Sequence, residues 1–204
     1  PLLKQYADTD VLLSGTQADV GVLHPLAYRL KGLSFVFGKK GGIDFYKTFE
    51  QLQTRRFLRE IQALPVEKYD LVINDFEPVS AWACRLKKVP CIAMSHQFAV
   101  LHKQAPRPAS YDPFALMVLK HYAPAQAGVG FHFEAYGENI CTPVIRSSIR
   151  HAAFSNKGHY TVYLPAYRDE KIIRFLSTFR EVEWEIFSKH SRIAYREKNW
   201  RVRP

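Results

Sequence analysis

An α/β fold, with parallel strands flanked by helices, is the class this sequence predicts, on three observations. Residues 70–97 (DLVINDFEPVSAWACRLKKVPCIAMSHQ) read as a strand, a crossover helix and a second strand. A strand, helix and strand pattern recurs over residues 160–188. Elsewhere apolar runs alternate with stretches of helical spacing. Strands that alternate with helices pair in parallel, and parallel sheets take helices on their faces.

The elements follow in order. Residues 10–16 (DVLLSGT) are an apolar run closing on Ser, Gly and Thr, hence a strand and a loop. Residues 33–37 (LSFVF) read as the next strand, broken by GKKGG at 38–42. Residues 45–64 place Phe45, Phe49, Leu52, Phe57, Leu58 and Ile61 at helical intervals, and Pro65 stops that helix. The next apolar run ends in Asn74, Asp75, Phe76, Glu77 and Pro78; a helix over 79–87 follows, and then a strand ending in Ser95, His96 and Gln97. Residues 101–113 are proline-rich and polar, a long loop. A helix is expected over 114–122, with strands over 129–133 and 139–145, the last interrupted by Pro143. Residues 160–164 predict a strand, 169–178 a helix, 183–188 a strand and 200–204 another.

The polar, basic, unpatterned stretch 147–158 reads as a linker. It divides a first domain, 1–146, from a second region, 159–204. Three strands and about one helix are too few to cover both faces of a parallel sheet. With a start lacking Met (PLLKQY) and an end on a strand (WRVRP), the expectation is a piece truncated on both sides.

Lys and Arg number 29 against 19 Asp and Glu, a net charge of +10. Such a surface favours anionic partners: phosphorylated metabolites, acidic lipid headgroups or nucleic acid. Neither RNA-binding aromatic motifs nor zinc-finger spacing are present, so nucleic acid is not the favoured partner. Aromatics are frequent, Phe35, Phe37, Phe45, Tyr46 and Phe76 among them, and most read as core by their strand and helix spacing. Cys84, Cys91 and Cys141 lie in apolar contexts without CxxC spacing and read as reduced core thiols of a cytoplasmic protein, with metal ligation disfavoured. No apolar run reaches the length that spans a bilayer, and no signal peptide is visible.

Ligands of open α/β sheets bind off the carboxyl ends of the strands. That rule selects Asp75, Glu77, Ser95, His96 and Gln97 in the first domain. Each has a structural alternative: Asp75, Glu77 and Ser80 sit where helix caps and first-turn acids belong, and a lone His is commonly a surface or core residue. Gly38 to Gly42, with Lys39 and Lys40, offers amides and charge to an anion, but it lacks the GK[ST] ending and is favoured as a flexible basic turn.

Strand-end acid, crossover helix, strand-end SHQ, a TPVIR linker and a fresh start at YTVYLPAYRDEK together resemble the GT-B glycosyltransferases. The likeness is greatest to a bacterial and archaeal branch related to the UDP-glycosyltransferases and the lipid II N-acetylglucosaminyltransferase. It implies two Rossmann-like domains, the first for the acceptor and the second, present only in its first part, for a nucleotide-sugar donor. It implies transfer of a sugar to an acceptor hydroxyl, with a lipid-linked acceptor and a peripheral membrane contact within its scope, and no resident cofactor or metal. On this resemblance Asp75 supports a catalytic base, while Glu77, Ser95, His96 and Gln97 line the acceptor side; His96 is also open to service as a second base. Pro165, Ala166, Tyr167 and Arg168 form the first strand-to-helix turn of the donor region, near the donor phosphates, and Lys189 and His190, after Ser188, end the next strand. The family's Gly-rich, His-bearing loop would precede Pro1 and its donor Gly/Glu motif would follow Pro204, so the expected fragment is inactive alone. The alternatives are a nucleic-acid-binding α/β protein and a non-catalytic sugar- or nucleotide-binding relative.

Overall fold

The computed structural model describes residues 3–15, 25–33, 53–106 and 112–204. These fall into two compact units, described residues up to 145 forming the first and 146–204 the second. Both are α/β, with parallel strands flanked by helices.

In the first unit β1 (Leu12–Ser14) pairs in parallel with β2 (Tyr28–Leu30). A second, four-stranded sheet has the order β3 (Val72–Asn74), β4 (Cys91–Ser95), β5 (Ala127–Phe131), β6 (Ile140–Cys141), every pair parallel. α1 (Thr54–Ala63) precedes β3, and α2 (Pro78–Lys87) crosses over from β3 to β4. The buried face of α2 carries Val79, Ala83 and Cys84, which join Ile61, Leu64, Val66, Val89 and Cys91 in one core. Val79 is fully buried, and a side chain of that size contributes roughly 1.5–3 kcal/mol when taken from water. α2 ends on Lys88 in the left-handed region (φ 59°), and its last turn is tied down by Lys87, whose Nζ donates to the Leu64 carbonyl at 2.7 Å and pairs with Glu67. On the opposite edge from the strand ends discussed below, Tyr69 donates to Asp10 at 2.6 Å and lies 3.1 Å from the Tyr28 hydroxyl, which joins the starts of β1, β2 and β3.

The strand expected to end in Ser95, His96 and Gln97 stops at Ser95. β4 runs directly into α3 (His96–Val100), which lies flat on β5. The fit requires glycine. A Cβ on Gly128 would stand 2.6 Å from the Phe98 ring, and one on Gly130 would stand 2.7 Å from the Ala99 backbone. α4 (Pro113–His121) follows, with Asp112 accepting from Phe114 N–H as its cap. β6 is shorter than the expected strand over 139–145. Cys84 and Cys91 are buried, whereas Cys141 is exposed, a correction to its reading as a core residue; it ends a two-residue strand whose partner β5 lies on one side only.

The second unit begins with a short helix, α5 (Ser147–Arg150), inside the stretch read as linker. Its sheet has the order β7 (His159–Tyr163), β8 (Glu183–Phe187), β10 (Trp200–Arg203), β9 (Tyr195–Glu197), with β9 the single antiparallel member. β9 and its two-residue turn to β10 carry too little apolar character to be read from sequence. α6 (Asp169–Leu176) covers one face, burying Ile172 and Leu176 against Ile186, Trp200 and Val202. On the other face Glu185 meets His159 Nε2 at 3.0 Å and the Arg203 guanidinium, with Arg201 at 4.0 Å. Arg203 foremost holds the Glu185 carboxyl below the usual range. That face carries these charged groups together with exposed Tyr163 and Phe187.

The expected strand 33–37, the first half of helix 45–64 and the GKKGG turn lie, apart from Leu33, outside the described residues. No described helix is long and apolar enough to cross a membrane.

Gly130→Ala is expected to cost about 1–3 kcal/mol, the range for overpacking a filled core, read from urea unfolding. Gly128→Ala should cost less, because the Phe98 ring it would meet can rotate and the Ala99 backbone cannot.

Candidate functional site

The first rim is the carboxyl edge of β3, β4 and β5. Register levels Asn74 with Ala93, and Ser95 with Gly130, so these strand ends lie side by side. At the end of β3 the chain must turn into α2 within three residues. Asn74, 3 % exposed, holds that turn. Its Nδ2 donates to the Glu77 carbonyl at 2.7 Å and to Ser80 Oγ at 2.8 Å, and its Oδ1 accepts from Glu77 N–H at 3.0 Å. Glu77 is the N-cap of α2: Oε1 accepts from Val79 N–H at 2.8 Å, and Oε2 from Ser80 N–H and Ser80 Oγ, both at 2.6 Å. A carboxylate there satisfies orphan amides and favours the helix dipole. The proposed substrate contact of Glu77 is therefore displaced by a structural duty, since both its oxygens are engaged.

The clasp leaves Asp75 and Phe76 on the outside of the turn. Phe76 has φ 52°, a left-handed conformation that costs on the order of 1–2 kcal/mol for a residue with a Cβ. Its ring packs on Tyr122 at 4.9 Å, and the Tyr122 hydroxyl donates to the Leu33 carbonyl at 2.7 Å. Asp75 is exposed as a residue and makes no hydrogen bond or ion pair among the described residues. Neighbouring protein nevertheless strips water from its carboxyl, which raises its pKa. Asp75 is not the helix cap; that alternative belongs to Glu77.

At the end of β4, Ser95 is buried and its Oγ accepts from Phe98 N–H at 3.2 Å. It caps α3, so its hydroxyl serves the fold, while the residue also lines the pocket that Gln97 faces. His96 and Gln97 occupy the first turn of that helix. His96 is exposed, and its Nδ1 lies 2.8 Å from the Phe131 carbonyl. A carbonyl only accepts, so Nδ1 carries the proton and Nε2 of the neutral ring keeps a basic lone pair. Gln97 faces a pocket of about 100 Å³ shared with Asn74, Phe76, Leu101, Leu119 and Lys120.

Two residues beside His96 escaped the sequence reading. The His132 ring lies 5.3 Å from that of His96, and Tyr136 meets His132 edge-on at 4.8 Å. Phe133 N–H donates to His132 Nδ1 at 2.9 Å, which leaves the His132 Nε2 position as its proton-bearing atom when neutral. The strand-end rule applied to β5 would have selected His132.

A larger hollow of about 550 Å³ opens between β2 and α1, lined by Tyr28, Leu30, Arg56, Ala63 and Leu64 among others. Its acid, Glu60, is engaged by Lys31 N–H and Gly32 N–H, each at 3.0 Å, so the hollow offers mainly apolar wall.

In the second unit the rim is built around Ser188. Its buried Oγ donates to the Asp169 carboxylate (2.6 and 2.8 Å) and accepts from His190 N–H and Ser191 N–H, both at 2.9 Å. This joins the loop after β8 to the start of α6. Pro165 and Ala166 form the turn that Tyr167 N–H closes onto the Leu164 carbonyl at 3.0 Å, and Lys171 Nζ sits 4.7 Å from the Tyr167 ring centre. The first turn of α6 holds Asp169 and Glu170, and Arg168 at the cap makes no side-chain capping bond. Two carboxylates there offset the positive end of the helix, which weakens the anion site expected at this turn. Lys189 and His190 are exposed beside it.

Among the described residues no group of three or more His, Cys, Asp or Glu side chains converges as a metal site. The chain matches no family model, and neither a curated protein nor a solved structure matches it.

Two substitutions separate the clasp from the group it presents. Glu77→Ala should cost about 1–2 kcal/mol, the upper range for losing an N-cap, measured by urea unfolding. Asp75→Asn should raise the melting temperature at pH 7. The folded state binds the Asp75 proton more tightly than the unfolded chain does, so this residue costs stability once pH rises through its raised value. The difference between variant and wild type should fade as pH falls below the ordinary aspartate range. A melting temperature unchanged at pH 7 would show that the carboxyl is not desolvated.

Proposed function

We propose that the chain is part of a nucleotide-sugar-dependent glycosyltransferase of the GT-B kind, its first unit taking the acceptor and its second the donor. The observation that carries this reading is Asp75. The protein holds an exposed carboxyl, without a hydrogen bond or ion pair among the described residues, at a strand's carboxyl end, beside a strained Phe76, on a turn that Asn74 and Glu77 clamp without using it. Backbone strain of the kind seen at Phe76 clusters at functional sites.

In the proposed reaction an acceptor hydroxyl attacks the anomeric carbon of the donor sugar. The hydroxyl proton goes to a base, and the bond to the nucleoside diphosphate breaks with its electron pair leaving on the phosphate oxygen. Asp75 orients and stabilises the charged base. His96, with Nε2 left basic by its bond to the Phe131 carbonyl, is this chain's own candidate for the second base. Gln97 and its small pocket supply polar and apolar contacts of the kind that seat an acceptor. On the donor side, exposed Lys189 next to the Ser188 hub supplies positive charge that a leaving diphosphate needs, and His190 beside it supplies an exposed ring nitrogen as a hydrogen-bonding group.

The test, in a full-length form that also carries the expected base and donor motifs, is release of nucleoside diphosphate from a panel of nucleotide sugars with mixed sugar and lipid-linked acceptors. Asp75→Asn should lower turnover by about 10²–10⁴-fold, the usual contribution of acid–base groups, while donor affinity by calorimetry stays within about twofold of wild type on the same reasoning. Equal turnover in variant and wild type would remove Asp75 from the mechanism. Donor binding with no turnover by wild type would favour the non-catalytic relative.

A further inference from the structure

We propose that residues 146–158 form a docking segment for an anionic lipid surface. The sequence from Asn139 to Arg168 contains no Asp or Glu, in a chain that has 19 of them. Within it Arg146, Arg150 and Lys157 are exposed, and none makes an ion pair among the described residues. Their charge faces solvent without a counter-ion among the described residues. The same stretch exposes two large apolar side chains, Ile149 at 65 % and Phe154 at 99 %. Ile149 lies on the single turn of α5 with Arg146 as its cap and Arg150 at its end. Phe154 lies between α5 and the turn at Asn156, whose Oδ1 accepts from Gly158 N–H at 2.8 Å.

Cations and apolar side chains interleaved on one exposed segment suit the boundary between headgroups and acyl chains. The charges are drawn to an anionic leaflet, and the aliphatic and aromatic groups gain by leaving water. The apolar members decide between partners. A nucleic acid would use the arginines and could stack on Phe154, but it gives an exposed Ile149 side chain no comparable gain. Each Lys or Arg near such a surface contributes about 1 kcal/mol, or about fivefold in partition. Three of them give on the order of 10²-fold. The binding is measured without turnover and stands apart from the transferase reading.

The experiment is co-sedimentation of the full chain with vesicles of phosphatidylcholine alone and of phosphatidylcholine and phosphatidylserine in equal parts, at low and high salt. Wild type should sediment with the serine-containing vesicles, not the neutral ones, and lose binding as salt rises. The triple variant Arg146→Gln, Arg150→Gln, Lys157→Gln should lose on the order of 10²-fold in partition. The double variant Ile149→Ser, Phe154→Ser should lose about tenfold or more, with circular dichroism and melting unchanged because the segment is exposed throughout. Absence of binding, equal binding to both vesicle types, or full retention by either variant would overturn the proposal. So would single-stranded RNA that displaces wild type from vesicles and binds the double variant equally well, which would assign the segment to nucleic acid.

Discussion

The turn between β3 and α2 rests on one buried amide. Asn74 reaches across three residues to both backbone groups of Glu77 and on to Ser80 Oγ, while the Glu77 carboxylate caps the helix that follows. A buried amide without these partners would cost about 1–3 kcal/mol, so the turn has one satisfied arrangement. That arrangement forces Phe76 into the left-handed region and sets Asp75 outside the clasp. The strain is local, and the packing of α2 through Val79, Ala83 and Cys84 absorbs it. The rim of the sheet is therefore a rigid frame on which Asp75 makes no ion pair among the described residues.

A second constraint acts at β4 and β5. Glycine at 128 and 130 removes the side chains that would hold α3 away from the sheet. With α3 seated flat, its first turn stands over the end of β5, and the Nδ1 of His96 reaches the Phe131 carbonyl. The orientation of that imidazole thus follows from two absent side chains on a neighbouring strand. Ser95, a few atoms away, is drawn inward to cap the same helix. Adjacent residues of one motif are sorted by geometry into structural and available groups.

Much of the fold was legible in the sequence because it depends on period and punctuation. The strand, helix and strand over residues 72–95 follow from apolar runs ended by Asp75 to Pro78 and by Pro90. β7, α6 and β8 are read the same way. α3 was not legible, since five residues carry no helical period and its formation depends on the glycines of β5. β9 was hidden for a related reason: three exposed residues hold their place through the ladder with β10, not through an apolar pattern.

For the site, sequence alone determined which strand ends carry polar side chains: Asp75 and Glu77 after β3, Ser95 to Gln97 after β4, Ser188 to His190 after β8. That much follows because hydrophobic runs and their terminators are local properties of the chain. Tertiary structure decided what each of these groups is free to do. Glu77, Ser95 and Ser188 were claimed by helix ends and loop amides, His132 and Tyr136 were brought beside His96, and Asp75 was left without a partner among the described residues. Hydrogen-bond satisfaction is settled between residues distant in sequence or held at fixed angles, and one-dimensional spacing contains neither.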